Sequence, residues 1–135
     1  MSNKPKPIAL GMIICDTVIE DKLTNKKTLI GLFNRINSPK VPCIHPCVNV
    51  FLSLTEGIHE YEGKLRCSDV TTEKTILELG GKISFQNIKE VVELNFELRG
   101  ISFPNFGEYR FEFFCNDVPV ISRKFFVSEL KLKGD

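Results

Sequence analysis

The chain has 135 residues, 42% apolar and 26% charged, with 18 basic side chains against 17 acidic ones. That length suits a single domain over 1–135, and that composition suits a globular chain rather than a disordered one. A net charge of +1 supplies no broad field to gather nucleic acid or an anionic membrane, so neither is expected as a partner.

Met1 to Pro7 is polar and lacks the apolar core of a signal peptide. No apolar run approaches the roughly 20 residues that cross a bilayer. Five cysteines cannot all pair within one chain, and their spacing is unlike a secreted disulfide framework. The chain has no Asn-x-Ser/Thr acceptor. These features together predict a cytoplasmic protein with reduced thiols. Residues 1–7 and 128–135 are expected to fray.

Strand signals follow from the N-terminus onward. Ile8 to Ile19 and Thr28 to Ile36 are apolar on both faces, which predicts central or loop-covered strands. The polar stretch Asp21 to Lys27 reads as the turn of a hairpin between them. Ser38 to Pro46 holds three prolines, which oppose central-strand pairing and predict a crossover. Val48, Val50, Leu52 and Leu54 then form one face of a strand. Tyr61, Gly63, Leu65 and Cys67 alternate with Glu60, Glu62, Lys64 and Arg66, so one face is dry and the other wet.

Leu77, Leu79, Ile83 and Phe85 continue the pattern, with Gly80-Gly81 suggesting a bulge or bend. Phe85 to Leu94 has some helical spacing, but the alternation after Glu90 is stronger and limits any helix to a turn or two. Val92, Leu94, Phe96 and Leu98 form the next dry face, and Tyr109, Phe111, Phe113 and Cys115 the one after it. Asn116-Asp117 tolerates left-handed backbone and should close a tight hairpin. Val118 to Val127, with mixed faces around Arg123 and Lys124, suits a sheet edge. About eight strands with such turns predict an all-β, two-layer antiparallel sandwich, immunoglobulin-like or jelly-roll.

Met12-Ile13-Ile14-Cys15-Asp16 leads through a hairpin into Thr28-Leu29-Ile30-Gly31-Leu32-Phe33. A loop with His45-Pro46 then precedes a strand, and Gly107-Glu108-Tyr109-Arg110-Phe111 comes near the end. In these stretches the chain resembles an uncharacterised bacterial family of small β-sandwich proteins, known only as a domain of unknown function. The resemblance covers most of the chain. It implies an intracellular bacterial sandwich and no reaction, ligand or catalytic residue.

Cys43-x-His45-x-Cys47 combines the usual zinc ligand types. On an extended segment the three would point one way about 6–7 Å apart, too far for adjacent ligands unless the loop bends. Buried structural thiols are the favoured reading, so no metal and no cofactor is assigned. A cysteine nucleophile would need His45 or His59 as its base, and neither stands in a recognisable signature.

Asp16 interrupts an apolar strand, and backbone amides at a strand end would explain it without a function. Glu56, Glu60 and Glu62 cluster near His59 and suggest a cation site. Glu60 and Glu62 lie on the solvated face opposite Tyr61, however, so a charged outer surface is the favoured reading. Gly80-Gly81 lacks the Lys-Ser/Thr and the helix of a phosphate loop. Arg123-Lys124-Phe125-Phe126, with Lys131 and Lys133 beyond, interleaves cations with aromatics, a pattern that also suits a basic edge strand. Phe103, Asn105 and Phe106 sit on a turn where sandwich domains display recognition loops, and are the binding candidates. Folding inward to plug the core is the favoured alternative for those rings.

No catalytic set emerges. The reading is a non-enzymatic module that holds a protein partner through end loops or an exposed sheet edge, with a homo-oligomer compatible. A small-ligand or carbohydrate-binding sandwich using the Phe103 to Phe106 loop is the alternative.

Overall fold

The computed structural model describes residues 4–131. Nine strands run in chain order: β1 (Ile8–Glu20), β2 (Lys27–Leu32), β3 (Arg35–Ser38), β4 (Cys43–Thr55), β5 (His59–Asp69), β6 (Thr75–Phe85), β7 (Val92–Phe103), β8 (Gly107–Cys115) and β9 (Val118–Glu129). There is no helix among the described residues. One sheet has the order β2-β1-β4-β7 and the other β3-β9-β8-β5-β6. Every pairing is antiparallel except β3 with β9.

The neighbours β4-β7 in one layer and β9-β8-β5 in the other follow an immunoglobulin-type sandwich rather than a jelly roll. A tyrosine corner goes with that order. The Tyr109 hydroxyl donates to the Asn105 carbonyl at 2.7 Å and accepts from the Asn105 amide at 3.1 Å.

The alternating faces meet in one core. Val48, Val50, Leu52 and Leu54 of β4 lie against Leu65 of β5 and the β8 aromatics, all nearly without solvent contact. Tyr109 stands 5.0 Å from Phe103 and 5.6 Å from Phe125, ring centre to ring centre, and Phe111 stands 5.1 Å from Phe125. Each such side chain contributes about 1.5–3 kcal/mol on burial, so this aromatic group is a large part of what holds the two sheets together.

The turns form as their residues require. Asn116 and Asp117 take φ of 50° and 64°, the left-handed pair of a two-residue hairpin loop. The Asp21 carboxylate accepts amides of Leu23 at 2.8 Å and Thr24 at 3.2 Å in the β1–β2 turn.

Several expectations are corrected. Thr28 to Ile36 is not one central strand. Gly31 takes φ 72° one residue before β2, an exposed sheet edge, ends at Leu32, and the chain crosses to the other layer as β3. The ladder between β5 and β6 runs in register through Gly80 and Gly81, and the irregularity falls at Cys67/Ser68 instead. Gly80 is needed for another reason: a Cβ there would meet the Gly63 carbonyl oxygen at 2.9 Å.

Pro46 lies inside β4. It is tolerated because β1 pairs with β4 only from Asn49 onward, so around Pro46 β4 has β7 on one side alone. Opposite Pro46 stands Gly100 at φ 65°, and here both strands exchange faces together. Leu98 points inward before Gly100, and Ile101 and Phe103 point inward after it. The β4–β7 register is unchanged across this flip.

β9 is an edge only in part, since β3 pairs with Phe126 to Glu129. That pairing also holds Ser128 and Glu129, and the Leu130 amide donates to the Ser38 carbonyl at 2.8 Å. At the other end, Tyr61 donates its hydroxyl to the Pro5 carbonyl at 2.8 Å, and Pro7 is buried. The remaining tail expectations fall on 1–3 and 132–135, outside the described residues.

Candidate functional site

The loop between β7 and β8 is bound tightly to the body of the protein. Phe103 is fully buried, Asn105 is exposed and Phe106 is half-buried against the core. The exposed Asn105 still uses its amide, donating to the Asp69 carboxylate at 3.1 Å. Asp69 also accepts the Thr71 and Thr72 amides at 3.0 and 3.3 Å. Burial alone would raise the Asp69 carboxyl, but the hydrogen bonds from Asn105, Thr72 and Thr71 outweigh it and hold it below its ordinary value. These contacts join the β5–β6 and β7–β8 turns.

The face exchange at Pro46 divides the cysteine–histidine segment. Cys43 packs in the core, and His45 lies beside Phe33 with ring centres 5.8 Å apart. Cys47 projects from the opposite face, 3.9 Å from a Glu97 carboxylate oxygen and 3.6 Å from the Asn49 side-chain nitrogen. Among the described residues no three His, Cys, Asp or Glu side chains gather as a metal-holding group.

Cys43 and His45 do share a cleft of about 510 Å³ with Asp16, Phe33 and Arg35. No hydrogen bond joins His45 to Asp16 or Cys43 among the described residues. Arg35 is occupied by the Ser128 hydroxyl and stacks 5.1 Å from the Phe126 ring. Among the described residues the Asp16 carboxylate accepts no backbone amide; it lies over Gly31, where a Cβ would meet it at 2.4 Å.

Burial pushes the Cys67 thiol up to about 12 and the Cys115 thiol up to about 11, and burial also raises Cys15. None of these three is an activated nucleophile. Glu60 and Glu62 are exposed, with Glu60 3.9 Å from Lys82, on the solvated face expected of them. In the basic-aromatic stretch Phe125 belongs to the core, and Lys133 lies outside the described residues.

A second cleft lies where two strand edges face each other. β2 covers β1 only from Cys15 to Glu20, and the Phe33 amide reaches the Ile14 carbonyl, so Ile8 to Ile13 is paired on the β4 side alone. β3 covers β9 only from Phe126 to Glu129, so Val118 to Phe125 is likewise paired on one side. Between them runs a groove of about 530 Å³ lined by Met12, Ile13, Ile121, Ser122, Arg123 and Lys124, among others. The Arg123 guanidinium donates across it to the Met12 carbonyl at 3.0 Å.

Backbone direction follows from the flanking bonds. The Ile14 carbonyl accepts the Phe33 amide at 3.2 Å, and the Phe126 amide donates to the Asn34 carbonyl at 3.0 Å. Strand alternation therefore turns the backbone groups of Met12, Ser122 and Lys124 toward the groove.

The edge of β1 is also unguarded. From Pro7 to Cys15 it has no charged residue, and Ile8 and Leu10 are 50% and 58% exposed. The opposite seam, between β6 and β7, differs. Glu78, Lys82, Glu93, Glu97 and Arg99 guard it, and Leu94, Phe96 and Ile83 close it to about 100 Å³. The sequence signal for the seam was the uncharged β1 run, but its lack of a partner strand was not legible.

Fold and seam together define an all-β, two-sheet domain in which the β1 and β9 edges face an open groove. The chain belongs to a family of unknown function (DUF6941), which matches residues 10–128 and so takes in both edges and the tyrosine corner. No curated protein matches the chain.

Proposed function

We propose that this protein is a non-enzymatic binding module that takes up an extended segment of a protein partner by strand addition in the β1/β9 groove. The observation that carries the reading is the pair of open edges, whose Met12, Ser122 and Lys124 backbone groups face the same space. An added strand satisfies such groups in one step, and strand addition is a recurrent mode of peptide recognition. Unguarded apolar edges otherwise invite self-association, so a partner that covers them gives this edge a use. Five unpaired thiols support a reducing compartment such as the cytoplasm. The bacterial setting rests on the resemblance alone.

The test is Ser122→Pro. Proline there removes an amide that faces the groove and leaves the β8 ladder intact. Partner captured from the native host should protect the Ser122 and Lys124 amides from hydrogen exchange, and the variant should bind it at least tenfold more weakly at an unchanged thermal midpoint. Undiminished binding by the variant, or protection confined to another surface, would remove the reading.

A further inference from the structure

From the charges around the groove we infer that the segment it takes up is acidic; this rests on the strand-addition reading above. Arg123 and Lys124 line the groove, and no carboxylate does. Arg66, Arg99 and Arg110 each have a glutamate within 4.0 Å. Arg123 has none among the described residues. Its one bond is to the neutral Met12 carbonyl, so its charge is left without a counter-ion.

The nearest acidic groups do not fill that role. Glu112, opposite Ser122 in the ladder, is held by Arg66 at 3.9 Å and Arg110 at 3.6 Å. Glu108, opposite Phe126 in the ladder, does not itself line the groove. Two more cations extend the row. Lys6 reaches the Pro119 carbonyl at 3.0 Å at one end, and Arg35 stacks on Phe126 at the other.

The eight residues of strand from Pro119 to Phe126 span roughly 23 Å, the length of a short extended peptide. A strand laid along β9 sets its side chains about 4.5–5.5 Å from those opposite. Carboxylates on its outer face then meet Lys124. One turned inward at the mouth of the sandwich meets Arg123, while the apolar residues between them meet Ile13 and Ile121.

Two other occupants fit less well. A second copy pairing β9 with β9 would set Arg123 and Lys124 against the same cations, and like charges directly opposite are destabilising. A nucleic acid would satisfy the cations but offers no alternating N–H and C=O groups to the strand edge.

A displayed library of random twelve-residue peptides, selected against the whole protein, tests this. Enriched sequences should have acidic residues at alternate positions and protect the Ser122 and Lys124 amides. They should bind the Arg123→Gln/Lys124→Gln variant at least fivefold more weakly, and lose affinity as salt rises. Lys124→Gln alone serves if the double variant does not fold. Enriched peptides without acidic excess that still protect those amides would overturn the acidic assignment and leave strand addition standing. Peptides that protect neither amide, or a selection that yields none, would remove both. Preferential protection of the groove by a twenty-nucleotide oligo-dT, or by self-association on sedimentation, would assign it to a different occupant and overturn the inference.

Discussion

The β7–β8 corner and the β1/β9 seam differ in what has been satisfied. At the corner, Phe103 fills the core, Tyr109 returns both its hydrogen bonds to Asn105, and Asn105 ties the loop to Asp69. There the Tyr109 hydroxyl and the Asn105 side-chain amide are spent on holding the fold. At the seam, two strand edges and a guanidinium have spare hydrogen-bonding capacity, and the Arg123–Met12 bond spans the gap. The lesson is that aromatic residues on a turn do not by themselves make a recognition loop. Unspent backbone groups are the better guide, because their valence has to be met by something.

Substitutions should separate the two regions. Phe103→Ala should have the largest effect, about 3–5 kcal/mol, because it empties a fully buried ring site beside Tyr109 and Phe125. Urea unfolding measures it, and a loss under about 1 kcal/mol would mean that the corner is not part of the core.

Asn105→Ala comes next, at about 1–3 kcal/mol, since it leaves a buried carboxylate short of a donor. Its effect should depend on pH. The folded Asp69 carboxyl lies below its ordinary value of 3.8. Its contribution is therefore complete above about pH 5 and lost as pH falls through the depressed folded value. A pH series of unfolding curves should show a shallower acid loss in Asn105→Ala than in the parent; identical slopes would break the link between the two turns.

Arg123→Gln should have the smallest effect, within about 0.5 kcal/mol, because an exposed side chain at an open seam supports little of the fold. A loss comparable to that of Asn105→Ala would make the Arg123–Met12 bond a closure of the sandwich and not a removable bridge.

The parts legible in the sequence are those governed by local alternation. β5, β7 and β8 show it in nearly every residue, and Asn116-Asp117 closes its hairpin as its left-handed tolerance requires. The split between β2 and β3 was hidden because Leu32, Phe33 and Ile36 read as one apolar run. The face exchange at Pro46 was hidden because it needs Gly100, on another strand, to turn at the same point. That exchange sends Cys47 away from Cys43 and His45, which spacing alone had set on one face.

Sequence by itself determined that this chain forms strands, where most of them turn, and which aromatic and aliphatic faces must meet, since periodicity and turn chemistry act over a few residues. Only the tertiary structure decided which edges stay open. β2 stops short along β1, and β3 reaches only the last residues of β9, so both edges are left facing one groove. Such mismatches in length are set between strands far apart in the chain, and no local pattern encodes them.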